Sequence, residues 1–365
     1  MQVPIDRVEV AAYTIPTEQP EQDGTLDWDS TTMVLVEAYA GGEAGYGYSY
    51  TSAGAAGLIQ SKLAGMLAGR DALRVSDNWR SMWRQVRNMG RSGVSATAIA
   101  AVDVALWDLK AKLLGRPLVT VIDSFHEACP IYGSGGFTNY SNDQLASQLS
   151  GWAAAGIPRV KIKVGRDPDA DAERARVARK AIGDDVELFV DGNGAYSRKD
   201  ALAWAFRFAD DYGVRWFEEP VSSDDIDGLR LLRDRGPGGL DIAAGEYGYV
   251  LEDFRDWLRA EAVDCLQGDV TRCGGITGYL QVGALVAAWD MELSAHCAPN
   301  ISAQASCGVW KLRHLEYFHD HVRLEALAFD GVLEPEPGGI LRPDRSRPGH
   351  GLVPKKADLE RYRVA

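Results

Sequence analysis

An α/β fold, in which parallel strands close into a barrel behind a small antiparallel sheet, is predicted by three observations. From Cys129 onward short apolar, β-rich runs alternate with helical stretches, the pattern of repeated strand-helix units on a parallel sheet. Their spacing of roughly 20 to 30 residues is that of one repeat in such a barrel. Eight such runs can be placed, ending at Tyr132, Val164, Val190, Phe217, Ala244, Gln267, Ala295 and Phe318. An open, doubly wound sheet would also alternate, but would gather its site at a single crevice.

Ahead of the barrel, Arg7 to Ile15 and Thr32 to Tyr39 read as an antiparallel pair, because β-branched and aromatic residues recur there between turn signals. Pro16 to Trp28, between them, carries two prolines, a glycine and several acids, and is expected to be a mobile, exposed loop of the kind that covers active sites. After Gly47-Tyr48-Ser49-Tyr50, helical patterns run over Ala55 to Leu67, Asp77 to Asn88 and Ala96 to Leu114. In the last, Ile99, Val102, Leu106, Leu109 and Leu113 repeat at helical spacing until Gly115 and Pro117 end it. From Phe329 the chain is rich in proline and glycine, does not repeat the unit, and is expected to pack back on the first domain. The expected domains are therefore 1–125, 126–328 and 329–365.

A chain of 365 residues, 46% of them hydrophobic, can bury a substantial core without staples. Its net charge of −13 argues against nucleic-acid phosphates or anionic membranes as main partners. Asp6 and Arg7 interrupt the start before any signal-like apolar run forms, and the longest uncharged apolar stretch, around Tyr279 to Trp289, is short for a membrane span. Cys129, Cys265, Cys273, Cys297 and Cys307 form no Cys-x-x-Cys pair and read as reduced packing residues. A cytoplasmic location is expected.

The ends of barrel strands converge on one face, so the residues placed there decide the chemistry. In Arg159-Val-Lys-Ile-Lys-Val-Gly165, Lys161 and Lys163 share one side by the two-residue period of a strand. The next strands end in Asp191-Gly-Asn193, Glu218-Glu219-Pro220 and Gly245-Glu246. Later ones carry Gly268-Asp269, Ala295-His296 and Leu315-Glu316. Asp191, Glu218 and Glu246 offer three hard oxygen ligands with positions left open, which suits magnesium, whereas His296 stands apart from any zinc-like spacing. A carbon acid beside a carboxylate resists ionisation because a second negative charge develops on the same oxygens. A dication and nearby donors stabilise that charge, and Lys161 is one such donor. Lys163, crowded by a second ammonium and a metal, is expected to have a lowered pKa and to act as a neutral base, although the metal carboxylates oppose that shift. Asp269 can orient His296 and fix its tautomer, making a second acid/base. Glu316, if protonated, would donate to a substrate carboxylate.

Lys161-x-Lys163, Asp191, Glu218, Glu246, the Asp269/His296 pair and Glu316 resemble the enolase superfamily, mandelate racemase subgroup, over essentially the whole chain, with Gly274-Gly275-Ile276-Thr277-Gly278 following Asp269. The resemblance implies a modified TIM barrel of (β/α)7β form under an α+β capping domain built from both chain ends. It also implies one Mg2+ per subunit, a small-molecule carboxylate substrate and a symmetric homo-oligomer. Cap loops, here Pro16 to Trp28 and Gly47 to Tyr50 with Tyr48, usually select the substrate in that family. Tyr247 stands where several relatives have asparagine, so mandelate itself is not implied. Sequences of this kind are mostly acid-sugar dehydratases, which expel a β-hydroxyl to give a 2-keto-3-deoxy acid. Arg166 and Asn193, near strand ends, are candidate contacts for sugar hydroxyls.

Plainer readings stand beside these. A racemase or epimerase of a 2-hydroxy acid would use the same two bases, and a non-catalytic barrel would bind metal without proton exchange. Glu219 rivals Glu218 as ligand, but one residue on it should face the other side of the strand. An ion pair with Arg313 or Lys311 would explain Glu316. His314, His319 and His321 are expected at the surface, Gly133 to Gly136 in a turn at the barrel mouth, and Trp79, Trp83 and Trp107 in the core or a subunit contact.

Overall fold

The structure, a computed structural model, describes residues 2–365. Eight parallel strands form the barrel: β4 (Cys129–Gly135), β5 (Arg159–Lys163), β6 (Glu187–Asp191), β7 (Val214–Glu218), β8 (Asp241–Ala244), β9 (Cys265–Gly268), β10 (Leu293–Ala295) and β11 (Leu312–Phe318). β11 pairs back with β4, from Leu315 opposite Ile131 to Phe318 opposite Ser134, and so closes it. Seven helices connect successive strands, giving the (β/α)7β order, and a further helix, His319–Ala328, follows β11. Strand period sets the site: Val160, Ile162 and Val164 are buried in the main core while Lys161 and Lys163 alternate with them. Register completes it, since Lys163 lies opposite Asp191 and Asp191 opposite Glu218. Three ionisable side chains thus share one row at the strand ends.

Beneath that row Tyr132, Phe189, Trp216, Ala243 and Cys265 fill the barrel. His314 sits among them, bonded through Nδ1 to Ser294 Oγ at 2.8 Å and edge-on to Tyr132 and Trp216. The surface position expected for it is wrong: burial first, then neighbouring cations, holds it neutral, well below the usual imidazole range. His321 is likewise buried, stacked on Tyr50 with ring centroids 3.6 Å apart, and only His319 remains half-buried near Glu18.

The N-terminal sheet has the order β1 (Ile5–Gln22), β2 (Asp27–Ala40), β3 (Glu43–Tyr50). Both first strands run on through the segment expected to be a loop. Proline would break an inner strand, but β1 is an edge strand, where Pro16 and Pro20 need not donate, and a register shift between Pro16 and Glu21 absorbs the irregularity. The hairpin turns at Asp23, whose Oδ1 accepts from the backbone N–H of Thr25 at 2.6 Å and Leu26 at 2.7 Å. Gly24 then touches the barrel mouth so closely that a Cβ there would lie 2.4 Å from the carbonyl oxygen of Gly192 and 2.8 Å from that of Val164.

The helix Val94–Leu113 is buried over most of its length between this sheet and the barrel. Toward the barrel, Asp103 accepts from the Thr277 N–H at 2.8 Å and hydroxyl at 2.7 Å, and Trp107 Nε1 donates to the same hydroxyl. Trp79, stacked on Trp83, donates to the Gly274 carbonyl at 2.7 Å. The glycine-rich segment after Asp269 therefore serves as the seam between the two parts. The tail touches both: Ile340–Leu341 pairs with the start of β4, and Ala365 and Val364 bond to the backbone of Ala12. No helix among the described residues is long and apolar enough to cross a membrane.

Candidate active site

Asp191 and Glu218 end β6 and β7, and Glu246 lies two residues past β8. Their carboxylate oxygens lie within 4.8 Å of one another, all three residues buried. The cluster takes Glu218 and not Glu219, where the backbone turns out of the strand into φ 37°. Lys161 Nζ bonds Glu218, lies 2.8 Å from Glu316 Oε1 and 3.4 Å from Asp191 Oδ2. Lys163 Nζ sits 2.6 Å from Asp191 Oδ2. Four carboxylates thus meet two ammonium groups, all of them buried. Burial and the nearby Asp191 push Glu218 up to about 8 against the pull of Lys161. Asp191 stays low despite burial because both lysines face it. Glu246 Oε2 is buried without a hydrogen-bond partner, an orphaned acceptor of the sort a cation satisfies. An all-oxygen donor set with this excess of negative charge fits a hard dication such as magnesium.

The lowered pKa expected for Lys163 is not found in the metal-free cage. Burial and Lys161 act in that direction, but contact with Asp191 outweighs them and the ammonium is held well above its usual range. Glu316 also departs from expectation. Burial would raise it, yet Lys161 and His296 hold it ionised, well below the usual carboxylate range. Ser134 Oγ donates to its Oε1 at 2.6 Å. Arg313 and Lys311 pair with Asp241 and Asp290 instead.

In the cleft that Lys163 also lines, His296 Nδ1 lies 2.7 Å from Asp269 Oδ2. Asp269 is kept ionised, despite burial, by His296 and Arg272, and its other oxygen accepts from the Thr271 N–H and hydroxyl at 2.7 Å each. An ionised acceptor places the proton on Nδ1 and turns Nε2 toward the cleft. There Nε2 is 3.4 Å from Glu246 Oε2 and 3.4 Å from Glu316 Oε2. Burial opposes charging of the ring, but Glu246, Glu316 and Asp269 together raise its pKa. His296 therefore holds a proton more firmly than a free imidazole.

Lys163, Asn193, Glu246, His296 and Glu316 line a cleft of about 380 Å3, with Asp23, Leu26 and Trp28 of the hairpin tip above them. A larger cavity of about 610 Å3 shares only Tyr247 with it and holds none of these reactive groups. Asn193 is where a substrate contact was expected, its Oδ1 buried and unpartnered. Tyr48 is not: it is 1% exposed, and its hydroxyl donates to Glu325 at 2.6 Å. Tyr50, two residues on along the same strand face, reaches the cleft in its place. Arg166 also stays outside the lining, pairing through Nη2 with Asp27 at 2.6 Å and so fastening the hairpin to the barrel. Sequence reasoning missed Arg272, which lines the cleft and contacts Glu246 Oε1 at 3.3 Å and Asp269 Oδ2 at 3.5 Å. Its place three residues after Asp269, on the first turn beyond β9, was the available signal.

Comparison with known proteins agrees with this geometry. Residues 7–122 match the mandelate racemase / muconate lactonizing enzyme N-terminal domain, and residues 144–358 match the enolase C-terminal domain-like family. A 3,6-anhydro-alpha-L-galactonate cycloisomerase of Streptomyces coelicolor is 32% identical over 98% of each chain. A mandelate racemase/muconate lactonizing enzyme-like protein from Rubrobacter xylanophilus superposes with a TM-score of 0.97 at 57% identity, covering 99% of this chain and 100% of that one. An L-talarate dehydratase from Polaromonas, crystallised with Mg and L-glucarate, does so at 0.89 and 28% identity over 100% of this chain and 98% of its own. With both family models matched in order and a barrel that carries the acidic cage at its mouth, the chain belongs to the mandelate racemase / muconate lactonizing enzyme family of the enolase superfamily.

Proposed function

We propose that this enzyme removes the proton α to the carboxylate of an acid sugar and expels the oxygen on the β-carbon, leaving a 2-keto-3-deoxy acid. The observation that carries this reading is the placing of Lys163 and His296 as two proton carriers that line one cleft around an all-oxygen cage. Asp191, Glu218 and Glu246 would hold Mg2+, which when bound neutralises charge developing on the substrate carboxylate. Lys161 donates to the same oxygens. Pairing of Lys163 with Asp191 is what keeps it protonated, so engagement of Asp191 elsewhere frees the amine to accept the α-proton. The C–H electron pair enters the enediolate, returns to form the C=C bond and breaks the Cβ–O bond; the resulting enol then gains a proton at Cβ and loses its O–H proton to become the 2-keto-3-deoxy acid. His296, with its raised pKa, gives the departing oxygen its proton when the two groups act on opposite faces. With the opposite stereochemistry their roles exchange.

The leaving oxygen is a hydroxyl in a dehydratase and a ring oxygen in a cycloisomerase, and the similarity to the Streptomyces cycloisomerase over 98% of each chain favours testing both. Aldonates, aldarates, their lactones and anhydro derivatives would be screened with magnesium in heavy water by proton NMR. A 2-keto-3-deoxy product is expected from at least one. Exchange without elimination would mean a racemase, and no exchange across the panel would sink the reading.

Two further outcomes are expected. Asp269→Asn should lower kcat about 10- to 100-fold and shift its pH profile, since the amide reverses the proton placement on the ring. Gly24→Ala should displace the hairpin tip from the Gly192 and Val164 carbonyls. A displacement of that order raises KM by roughly tenfold or more with Mg2+ affinity unchanged, as isothermal titration and steady-state kinetics would read.

A further inference from the structure

We propose that His296, Cys297 and Glu316 form a second cation site beside the oxygen cage, one that takes a soft divalent ion of the zinc type. Three donor atoms of different chemistry meet there. Cys297 Sγ lies 3.3 Å from His296 Nε2 and 3.3 Å from Glu316 Oε2, and the last two are 3.4 Å apart. Tetrahedral zinc, with bonds of about 2.0 Å to nitrogen and oxygen and about 2.3 Å to sulfur, separates N and O by about 3.3 Å and S from either by about 3.5 Å. The observed triangle is within a few tenths of an ångström of one face of that tetrahedron.

The backbone has to work to make this triangle. Neighbouring residues of a strand point to opposite faces, so Cys297 would ordinarily face away from His296. Instead the chain leaves β10 through two successive left-handed residues, Cys297 at φ 49° and Ala298 at φ 43°, which fold the thiol back beside the ring. Left-handed conformations cost non-glycine residues free energy and gather at functional positions. Each donor is also held with its ligating atom spare. Asp269 occupies His296 Nδ1 and leaves Nε2, while Lys161 and Ser134 occupy Glu316 Oε1, and Oε2 accepts only from the N–H of Cys297 itself, at 3.2 Å, and from its thiol.

Donor chemistry sorts the ions. Magnesium takes oxygens and avoids thiolate, whereas zinc and cobalt favour sulfur and imidazole nitrogen. On binding, the Cys297 S–H bond breaks and an S–metal bond forms, the imidazolium N–H at His296 Nε2 breaks as that nitrogen takes the metal, and both protons leave to solvent.

The test is titration of the full-length protein with Co2+ in excess Mg2+. One equivalent should give thiolate-to-cobalt charge-transfer absorption in the near ultraviolet, bleached by equimolar Zn2+. Cys297→Ala and Cys297→Ser should lose the band, the serine retaining a polar contact to Glu316 as a guard against misfolding. Cys129→Ala should keep it, which excludes the Cys129/Cys307 pair, whose sulfurs lie 3.7 Å apart. Absence of the band, its persistence in both Cys297 variants, or its suppression by magnesium would overturn the proposal, the last by placing cobalt in the oxygen cage. Because the readout is absorption, it stands or falls independently of whether the proposed elimination is found.

Discussion

Lys163→Ala should lower kcat by about 10³- to 10⁴-fold, and His296→Asn by a similar factor, because each removes one of the two groups able to move a proton at the cleft. The two losses differ in kind. The variant lacking the base should lose both α-proton exchange with heavy water and product. The variant lacking the acid should keep exchange while elimination stalls, since the enediolate still forms and returns its proton. Proton NMR on the substrate found by screening reads both rates from one sample, and so assigns abstraction to one face. Loss of the Lys163 ammonium leaves Asp191 with Lys161 at 3.4 Å as its remaining cationic partner. A magnesium-induced rise in melting temperature in each variant therefore has to accompany the kinetics. If both variants turned over within tenfold of the parent with the metal site intact, neither group carries the proton and the reaction has no base.

What the sequence made legible was whatever follows from period and order. Polar residues directly after apolar strand runs marked the barrel mouth, and alternation alone put Lys161 and Lys163 together and chose Glu218 over Glu219. Features that depend on which strand lies at an edge were hidden. Pro16 and Pro20 read as breakers, and only the position of β1 outside β2 makes them harmless. Tyr48 and Tyr50 share a face, so period could not say which one reaches the cleft and which meets Glu325. Protonation states were the least legible. The metal-free cage departs from what was expected of Lys163 and Glu316 because protonation depends on all the charges within a few ångströms, and there the lysine pair is outnumbered by carboxylates.

That same imbalance makes Glu218→Gln informative. Removing one of three ligand carboxylates should weaken Mg2+ by roughly 100-fold or more, since replacement of mere supporting groups around a metal already costs about 10- to 100-fold. Activity at ordinary magnesium should fall with it, while Glu219→Gln, outside the ligand cluster, should bind magnesium nearly as the parent does. The parent's affinity should in addition rise with pH. Without metal Glu218 keeps its proton up to about 8, and that proton must leave before the carboxylate can coordinate, so binding strengthens by up to about tenfold per pH unit below that value. Stability of the metal-free protein runs the other way. A carboxyl whose folded pKa lies above its ordinary 4.5 stabilises the fold fully only below 4.5, and that contribution is lost as pH climbs toward 8. Melting temperatures across this window, with and without magnesium, should converge at the acid end and separate at the alkaline end. The gap should shrink in Glu218→Gln, whose neutral amide has no proton to lose. A gap independent of pH in the parent would mean that the cage holds no shared proton and that its acidic excess is balanced some other way.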